Sequence, residues 1–310
     1  MKHLFIINPY AGKTNDEKEI ESKLNASSTV FDHEIHLTTG PGEATTFVER
    51  WCDEHEDEVR FYACGGDGTI NEVATGVVKA KECHPGRRIE MSCFPCGSGN
   101  DYVKYYQGDW RNIKDLVEGE PHKVDVMKVN DRYCINVCNF GFDAMVCKTM
   151  IEVKRKPIIG GRHAYTTGVV KGLFGGRSNY CRVATDGKPF HNGKMLLCTV
   201  SNGKYVGGSY QCAPKSENDD GMVEVLLFKP IRLASILSLI SVYKNGKQFE
   251  TPRIFEKMKY TRAKEVVVEA DKDFDLCIDG EMLRNKHFEI RNLQQAITFV
   301  SPKTAQKQSI

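Results

Sequence analysis

The stretch Cys64-Gly65-Gly66-Asp67-Gly68-Thr69-Ile70-Asn71-Glu72 lies between a strand-like segment, Val59–Ala63, and a helical segment, Thr69–Ala80. Its three glycines predict a backbone with positive φ angles that brings N–H groups close to a ligand. A helix that begins at Thr69 directs free N–H groups and the positive end of its dipole at that ligand. The stretch therefore predicts a binding site for an anion, most naturally a phosphate.

Asp67 stands in the middle of this predicted phosphate loop. A carboxylate repels a phosphate unless a metal ion lies between them or the carboxylate handles a proton. The combination indicates phosphoryl transfer with Mg²⁺ as the intermediary. The alternative is a tight strand-to-helix turn with an Asp near the N-cap, which many α/β proteins contain. The chain has no G-x-x-x-x-G-K-[ST] motif, and neither of its glycine runs fits G-x-G-x-x-G.

The composition of the chain restricts its class. Its 310 residues can bury one or two cores, and 43 basic against 41 acidic residues leave a formal charge of +2. No global field therefore marks a nucleic-acid binder. The longest apolar tract, Ile231–Tyr243, is too short to span a bilayer, and the first residues show no secretory signal, so a cytoplasmic protein is expected. The twelve cysteines are expected to be reduced, and the pair Cys93 and Cys96 lacks partners at zinc spacing.

The first 120 or so residues alternate between strands and helices. This pattern predicts a parallel, doubly wound α/β sheet with right-handed crossovers. The glycine-containing loops 8–13, 65–69 and 97–101 each follow a strand, so they converge on the ligand-binding edge of such a sheet. The predicted elements are strands at His3–Asn8, Glu34–Thr38, Val59–Cys64 and Ile89–Phe94, and helices at Asp16–Leu24, Gly42–Glu54 and Thr69–Ala80.

After Val124 the sequence becomes rich in strands separated by turn signals, which predicts a mainly antiparallel β-sandwich. Residues 1–122, with part of 290–310, are predicted to form the nucleotide-binding domain, and residues 123–289 the sandwich. The run Ala296–Val300 is expected to return to the first domain. The predicted strands are Val124–Val129, Tyr133–Phe140, Tyr180–Thr185, Lys194–Ser201, Met222–Phe228, Glu265–Glu269 and Phe274–Ile278, and helices are expected at Ala144–Val153, within Ala164–Leu173 and at Ile231–Tyr243.

Further motifs accompany the glycine loop: a second glycine loop at 95–101, an Asn-Gly…Gly-Gly segment at 202–208, an acidic turn at 214–221 and the turn Asp279-Gly280-Glu281. Taken in this order, they resemble the diacylglycerol kinase catalytic family, which includes bacterial lipid kinases, sphingosine kinases and ceramide kinases. The resemblance implies a nucleotide-binding α/β domain related to phosphofructokinases and NAD kinases, followed by a β-sandwich. It also implies ATP and Mg²⁺ in the cleft between the domains, with a membrane lipid alcohol as the phosphate acceptor.

The resemblance also assigns roles to residues. It implies catalytic roles for Asp67 and for Asp279 and Glu281, one of which is the general base, with Glu281 preferred because the longer side chain can reach a hydroxyl. A structural Mg²⁺ is implied at Glu217, Asp220 and Met222, the last through its carbonyl oxygen. Glu43 and Ser98 depart from the residues common in bacterial relatives. The implied nucleotide-binding residues are Asn8, Pro9, Thr38, Gly65, Gly66, Asp67, Gly68, Thr69, Asn71, Glu72, Gly97, Ser98, Asp279 and Glu281.

The segment Lys148–Tyr180 predicts contact with a membrane surface. It holds seven Lys or Arg residues and one Glu, a net charge of 7 − 1 = +6, interleaved with apolar residues. Ile231–Tyr243 is a second candidate, although its spacing also fits a helix packed on a core. A peripheral lipid kinase is thus expected, with a soluble kinase of the NAD-kinase type and a non-catalytic nucleotide- or lipid-binding protein as alternatives. The sequence leaves the acceptor lipid and the oligomeric state open, a homodimer included.

Overall fold

The computed structural model describes residues 1–12, 16–26, 31–154, 179–231 and 233–307. These residues form two compact units. The first unit comprises Met1–Val126 with Gln294–Ile310, and the second comprises Met127–Leu293. The long strand Glu281–Ser301 begins in the second unit and ends in the first.

The first unit is built on a parallel sheet. The sheet order is the end of Glu281–Ser301, then Ile89–Pro95, Val59–Gly65, Lys2–Ile7 and His33–Leu37, with each neighbouring pair parallel. All seven residues of Val59–Gly65 and of Ile89–Pro95 are buried, as expected for the central strands of a parallel sheet. The predicted α/β class is confirmed, and the run Ala296–Val300 lies in this unit beside Ile89–Pro95.

The helices of the first unit alternate with these strands along the chain. The helix after the first glycine loop begins at Asp67, with Gly66 as its N-cap, and not at Thr69 as predicted. It also extends beyond its predicted end at Ala80 and ends at Cys83, with His84 as its C-cap. The helices are Asp16–Ala26, Glu43–Glu54, Asp67–Cys83, Ile113–Val117 and a 3₁₀ turn at Tyr102–Tyr105; Tyr106–Gln107 and Gln306–Lys307 form a short antiparallel pair.

The second unit is an antiparallel β structure, as predicted. Glu265–Ile278 is one continuous strand with an irregularity between Glu269 and Phe274, where two strands were expected. The charged residues 271–273 resemble a turn in the sequence, but here they are exposed residues within the strand. The strands of this unit are the end of Glu120–Val129, then Arg132–Cys134, Val137–Gly141, Asn179–Thr185, Lys188–Met195, Leu197–Ser201, Val223–Phe228, Met258–Ala263, Glu265–Ile278 and the first part of Glu281–Ser301.

Three helices, Phe142–Lys154, Leu233–Lys244 and Pro252–Phe255, accompany the strands of the second unit. Leu239 and Tyr243 are buried in an apolar core cluster, which favours the core-packed interpretation of the tract Ile231–Tyr243. Within the described ranges, no helix is both long and apolar enough to cross a membrane. Residues 155–178, which include most of the predicted membrane segment and the helix expected within Ala164–Leu173, lie outside the described residues.

Candidate active site

Two glycine loops meet at the carboxyl ends of the neighbouring strands Val59–Gly65 and Ile89–Pro95. A Cβ atom placed on Gly97 would lie 2.5 Å from the Cα atom of Gly66, so the two backbones touch and only glycine fits at residue 97. The backbone N–H of Cys96 also donates to the carbonyl oxygen of Gly65 at 2.8 Å. The first loop and the second loop therefore form one surface at the sheet edge.

The reason for the glycines differs from the prediction. Gly66 is extended, with φ −94°, and Gly65, Gly66 and Gly68 are all absent from the described residues that have positive φ. Because the helix begins directly at Asp67, the strand continues into the helix with no left-handed turn between them. Close approach explains the first two glycines instead: a Cβ on Gly65 would lie 2.3 Å from the Thr69 hydroxyl oxygen, and Gly66 lies against Gly97.

Asp67 connects the two glycine loops. One of its carboxylate oxygens, Oδ1, accepts the backbone N–H of Asp101 at 2.6 Å and that of Tyr102 at 3.2 Å. Asp67 thus stabilises the start of the 3₁₀ turn Tyr102–Tyr105 from the first turn of its own helix. Lys104 forms an ion pair with Asp101 at 2.7 Å, which places a cation beside this group of carboxylates.

Asn8 joins the end of the first strand to the same loop. Its side-chain Nδ2 donates to the Thr69 hydroxyl at 3.1 Å, and its Oδ1 accepts the backbone N–H of Tyr10 at 3.0 Å. Thr38, which is buried, follows the neighbouring strand and donates its backbone N–H to Ile7 at 2.9 Å. The predicted nucleotide-binding residues Asn8, Thr38 and Thr69 therefore follow adjacent strands at one sheet edge, while Pro9 is exposed in the loop.

Glu72 contacts a different part of the unit. Its Oε1 accepts the backbone N–H of Gly42 at 2.9 Å, and its carbonyl oxygen accepts the hydroxyl of Thr45 at 2.7 Å. Gly42 is the N-cap of helix Glu43–Glu54 and has φ +80°. These contacts give Glu72 a structural role in holding that helix, beside the nucleotide-binding role predicted for it. Asn71 is buried in the same helix.

In the second glycine loop, Ser98 is exposed and Asn100 is turned back onto the loop. Asn100 has φ +49°, and its Nδ2 donates to the carbonyl oxygen of Gly97 at 2.8 Å. The side chain of Asn100 thereby closes the loop. The hydroxyl of Ser98 is accordingly the exposed polar group of this loop that can meet a phosphate.

The turn Asp279-Gly280-Glu281 lies in the second unit. Asp279 and Gly280 have φ +45° and +93°, the signature of a type I′ hairpin turn between Ile278 and Glu281. The Asp279 carboxylate accepts three backbone N–H groups: Ile135 at 2.9 Å, Asn136 at 3.2 Å and Val137 at 2.8 Å. Burial raises the pKa of Asp279 to about 6, against the lowering effect of the N–H donors. Glu281 is exposed.

Asn136 connects this turn to the predicted segment 202–208, and the sequence did not single it out. Its carbonyl oxygen accepts the backbone N–H groups of Asn202 and Gly203 at 2.9 and 3.0 Å, and its Nδ2 donates to the carbonyl oxygen of Tyr205 at 3.1 Å. A Cβ on Gly203 would lie 1.9 Å from the Asn136 Oδ1 atom. An Asn inside a strand-like run carries no signal of this role, because its partners are distant in the sequence.

A chain of polar side chains crosses the core of the second unit. The Thr199 hydroxyl donates to Asn139 Oδ1 at 2.9 Å and lies 2.9 Å from the Tyr243 hydroxyl, which lies 3.0 Å from Asp143 Oδ2. Burial raises the pKa of Asp143 to about 6, although the Tyr243 hydroxyl opposes the shift. The Tyr243 hydroxyl donates to the Asp143 carboxylate and the Thr199 hydroxyl donates to Asn139, so Asp143 is held in the core by a single hydroxyl donor.

The acidic turn predicted to hold Mg²⁺ is occupied by other contacts. Asp220 Oδ1 accepts the backbone N–H of Met222 at 2.9 Å, and Asp220 Oδ2 pairs with Arg262 Nη2. Arg262 Nε lies 3.0 Å from Glu224 Oε1. Among the described residues, no group of three or more His, Cys, Asp or Glu side chains is placed to hold a metal ion. Since a guanidinium already pairs with Asp220, the residues Glu217, Asp220 and Met222 do not fit a divalent cation.

The chain matches two family models along its length. The model described as "Diacylglycerol kinase catalytic domain" matches residues 2–129, and the one described as "YegS C-terminal NAD kinase beta sandwich-like domain" matches residues 136–301. A protein named "Diacylglycerol kinase" from Staphylococcus aureus (strain MRSA252) is 26% identical over 301 residues, covering 96% of this chain and 91% of that protein.

Solved structures show the same fold. A crystal structure of a diacylglycerol kinase from Bacillus anthracis str. Sterne superposes with a TM-score of 0.70 at 21% identity, covering 96% of both chains. Yeast NADH kinase complexed with NADH gives a TM-score of 0.51 at 9% identity, covering 97% of this chain and 83% of that one. Over residues 2–129 the chain thus matches the diacylglycerol kinase catalytic domain, and it belongs to the family of the YegS C-terminal NAD kinase beta sandwich-like domain, whose model covers more than half of the chain.

Proposed function

We propose that this protein is an ATP-dependent lipid kinase that phosphorylates the hydroxyl group of a membrane lipid, with diacylglycerol or a related long-chain lipid alcohol as the acceptor. Family membership supports the kinase class. The observation that carries the proposal is the contact of the two glycine loops at Gly66 and Gly97, joined by Asp67 at the start of a 17-residue helix.

The first unit is proposed to bind the phosphates of ATP. The free N–H groups in the first turn of helix Asp67–Cys83 and the positive end of its dipole favour an anion at this position. The exposed hydroxyl of Ser98 adds a donor from the second loop, and Asn8 with Thr69 shapes the edge of the site. The closeness of Gly66 to Gly97 removes side chains from the path of the phosphates.

Mg²⁺ is proposed to enter with ATP, and when bound it would neutralise the negative charge of the phosphates. Asp67 is a carboxylate fixed by two backbone N–H groups, so its orientation does not depend on the nucleotide. We assign it to positioning the metal-bound phosphates. Such preorganisation is the main contribution that a protein makes to phosphoryl transfer.

Glu281 is proposed as the general base that accepts the proton of the lipid hydroxyl. It is exposed at the start of the strand directly after the two-residue turn, whereas the carboxylate of Asp279 is engaged by three backbone N–H groups. We therefore assign Asp279 to holding the turn and Glu281 to the proton. General bases of this kind contribute roughly 10²–10⁴ in rate.

The acceptor is proposed to be reached at a membrane surface through the basic segment Lys148–Tyr180. Its net charge of 7 − 1 = +6 stands out in a chain whose formal charge is +2, and each basic residue near an anionic surface contributes about 1 kcal/mol. Co-sedimentation with vesicles tests this assignment. Binding is expected to rise with anionic lipid content, fall with salt, and weaken when Lys154, Arg155 and Lys156 are changed to Gln. Binding that ignores all three changes would contradict it.

The proposed activity is tested by incubating the full chain with Mg²⁺ and γ-labelled ATP in mixed micelles that contain diacylglycerol, a sphingoid base or undecaprenol, and separately with NAD. Label is expected in a lipid product and not in NADP. Glu281→Gln is the matched negative control, and Glu250→Gln, an exposed acid of the same unit, is the positive one. Labelled NADP would point to a soluble kinase, and no product with any acceptor to a binding protein.

A further inference from the structure

Arg262 pairs with two carboxylates, one in the acidic turn and one on the strand that follows this turn. Glu224 on strand Val223–Phe228 and Arg262 on strand Met258–Ala263 are direct partners in the antiparallel register. The guanidinium uses Nε for Glu224 Oε1, at 3.0 Å, and Nη2 for Asp220 Oδ2. One planar side chain thus connects the acidic turn to two neighbouring strands of the sandwich.

The burial of Glu224 makes this counter-charge necessary. Glu224 is only 3% exposed, and a buried carboxylate is costly unless a positive group compensates it. Burial raises the pKa of Glu224, while the hydrogen bond with Tyr260 and the charges of Arg262 and Lys215 oppose the shift. Lys215 is held nearby, with its Nζ 4.0 Å from the centre of the Phe249 ring and 5.6 Å from that of Tyr260. Arg262 therefore pairs directly with the carboxylates of Asp220 and Glu224, and Lys215 adds a second positive charge nearby.

We propose that Arg262 takes the place of a structural divalent cation at this turn. The segment Glu217–Met222 is stabilised by the guanidinium and needs no Mg²⁺. The fork of N–H groups on an Arg suits carboxylate oxygens in a fixed plane. Mg²⁺ demands near-octahedral oxygen ligands and releases its water reluctantly. The positive charge of Arg262 beside Asp220 repels a second cation, since like charges at this separation interact strongly near a protein surface.

Mn²⁺ binding by the nucleotide-free protein tests the proposal, with Mn²⁺ alone as the probe and electron paramagnetic resonance to count bound ions. The wild-type chain is expected to bind no Mn²⁺ at this turn, so Asp220→Asn leaves its Mn²⁺ titration unchanged. Arg262→Gln removes the charge and is expected to create one Mn²⁺ site per chain, which the second substitution Asp220→Asn abolishes. Arg262→Lys keeps a cation and is expected to behave as the wild type.

Thermal unfolding gives an independent readout. The Tm of the wild type is expected to be the same in EDTA and in MgCl₂. That of Arg262→Gln is expected to fall by about 3–8 °C in EDTA and to recover with Mg²⁺. Arg291→Gln is the matched control, because Arg291 also pairs with two carboxylates, Glu265 and Glu289, on an exposed strand. Its Tm is expected not to respond to Mg²⁺.

Wild-type protein that binds one Mn²⁺ and loses it on Asp220→Asn would overturn the proposal, and this pair decides the question even if Arg262→Gln does not fold. A folded Arg262→Gln chain that is less stable but indifferent to Mg²⁺ and Mn²⁺ would also overturn it, since Arg262 would then be an ordinary ion-pair partner. No nucleotide or lipid is used, so the result is separate from the outcome of the kinase assay.

Discussion

The carboxylate of Asp67 accepts the backbone N–H of Asp101 at 2.6 Å, so a side chain of the first glycine loop holds the start of the turn that follows the second. The two residues are 34 positions apart in the chain. Asp67 is thus a charged group at the proposed phosphate site and, through this bond, also a structural link. The two roles can be separated by substitution.

Asp67→Asn is expected to keep the fold and lose turnover. An amide oxygen can still accept the N–H of Asp101, but the negative charge that positions the metal-bound phosphates is gone. We expect kcat to fall by roughly 10²–10⁴ with a small change in Tm. Asp67→Ala, which also removes the acceptor, is expected to lower Tm as well. A folded Asp67→Asn enzyme with near-normal kcat would contradict the assignment.

The two carboxylates of the late turn are expected to respond differently to loss of charge. Glu281→Gln should lower kcat by on the order of 10² or more and leave Tm unchanged, because Glu281 is exposed. Asp279→Asn turns an amide N–H₂ toward backbone donors and should destabilise the protein by about 1–3 kcal/mol. Both kcat and Tm are measured for each variant. Retained activity in Glu281→Gln beside a stable, inactive Asp279→Asn would exchange the two roles.

Gly97→Ala is expected to damage nucleotide binding through sterics alone. The added Cβ would lie 2.5 Å from the Gly66 Cα atom, so the two loops must separate. We expect the KM for ATP to rise by at least about tenfold, the consequence of a misplaced binding group. Gly40→Ala is the control, since a Cβ there meets nothing within 4 Å and the residue has no positive φ. Equal KM values for the two variants would show that the loop contact is not needed.

The protonation of Asp143 is expected to make stability depend on pH. Its pKa is about 6 in the folded protein and 3.8 ordinarily, so its favourable contribution is complete below pH 4 and is lost as the pH rises through 6. Asn resembles the protonated acid, so Asp143→Asn should be more stable than the wild type at pH 7, by on the order of 1–3 kcal/mol, and equal to it near pH 4.

Urea unfolding at several pH values measures this difference. Asp131→Asn is the control, because Asp131 is an exposed turn residue of the same unit. A constant difference between Asp143→Asn and the wild type across this range would mean that the pKa of Asp143 is the same in the folded and unfolded states.

The alternation of strands and helices in the first unit was predictable because it follows from local patterns. The runs Val59–Cys64 and Ile89–Phe94 are mostly apolar and are buried along their whole length, which is typical of central strands in a parallel sheet. The strand Glu281–Ser301 was recognised only at its apolar end, Ala296–Val300, because its earlier residues are largely exposed and polar. Such a strand is stabilised by its neighbours and not by its own composition.

The order of the glycine and carboxylate motifs was determined by the sequence, and so was the placement of Gly65–Thr69 and Gly97–Asp101 after neighbouring strands. Only the tertiary structure decided what each charged residue contacts: Asp67 with Asp101, Glu72 with Gly42, Asp279 with the loop 135–137, and Arg262 with Asp220 and Glu224. Local periodicity reports burial within one strand or helix. The partner of a carboxylate is selected by geometry between segments far apart in the chain, and no local pattern records that geometry.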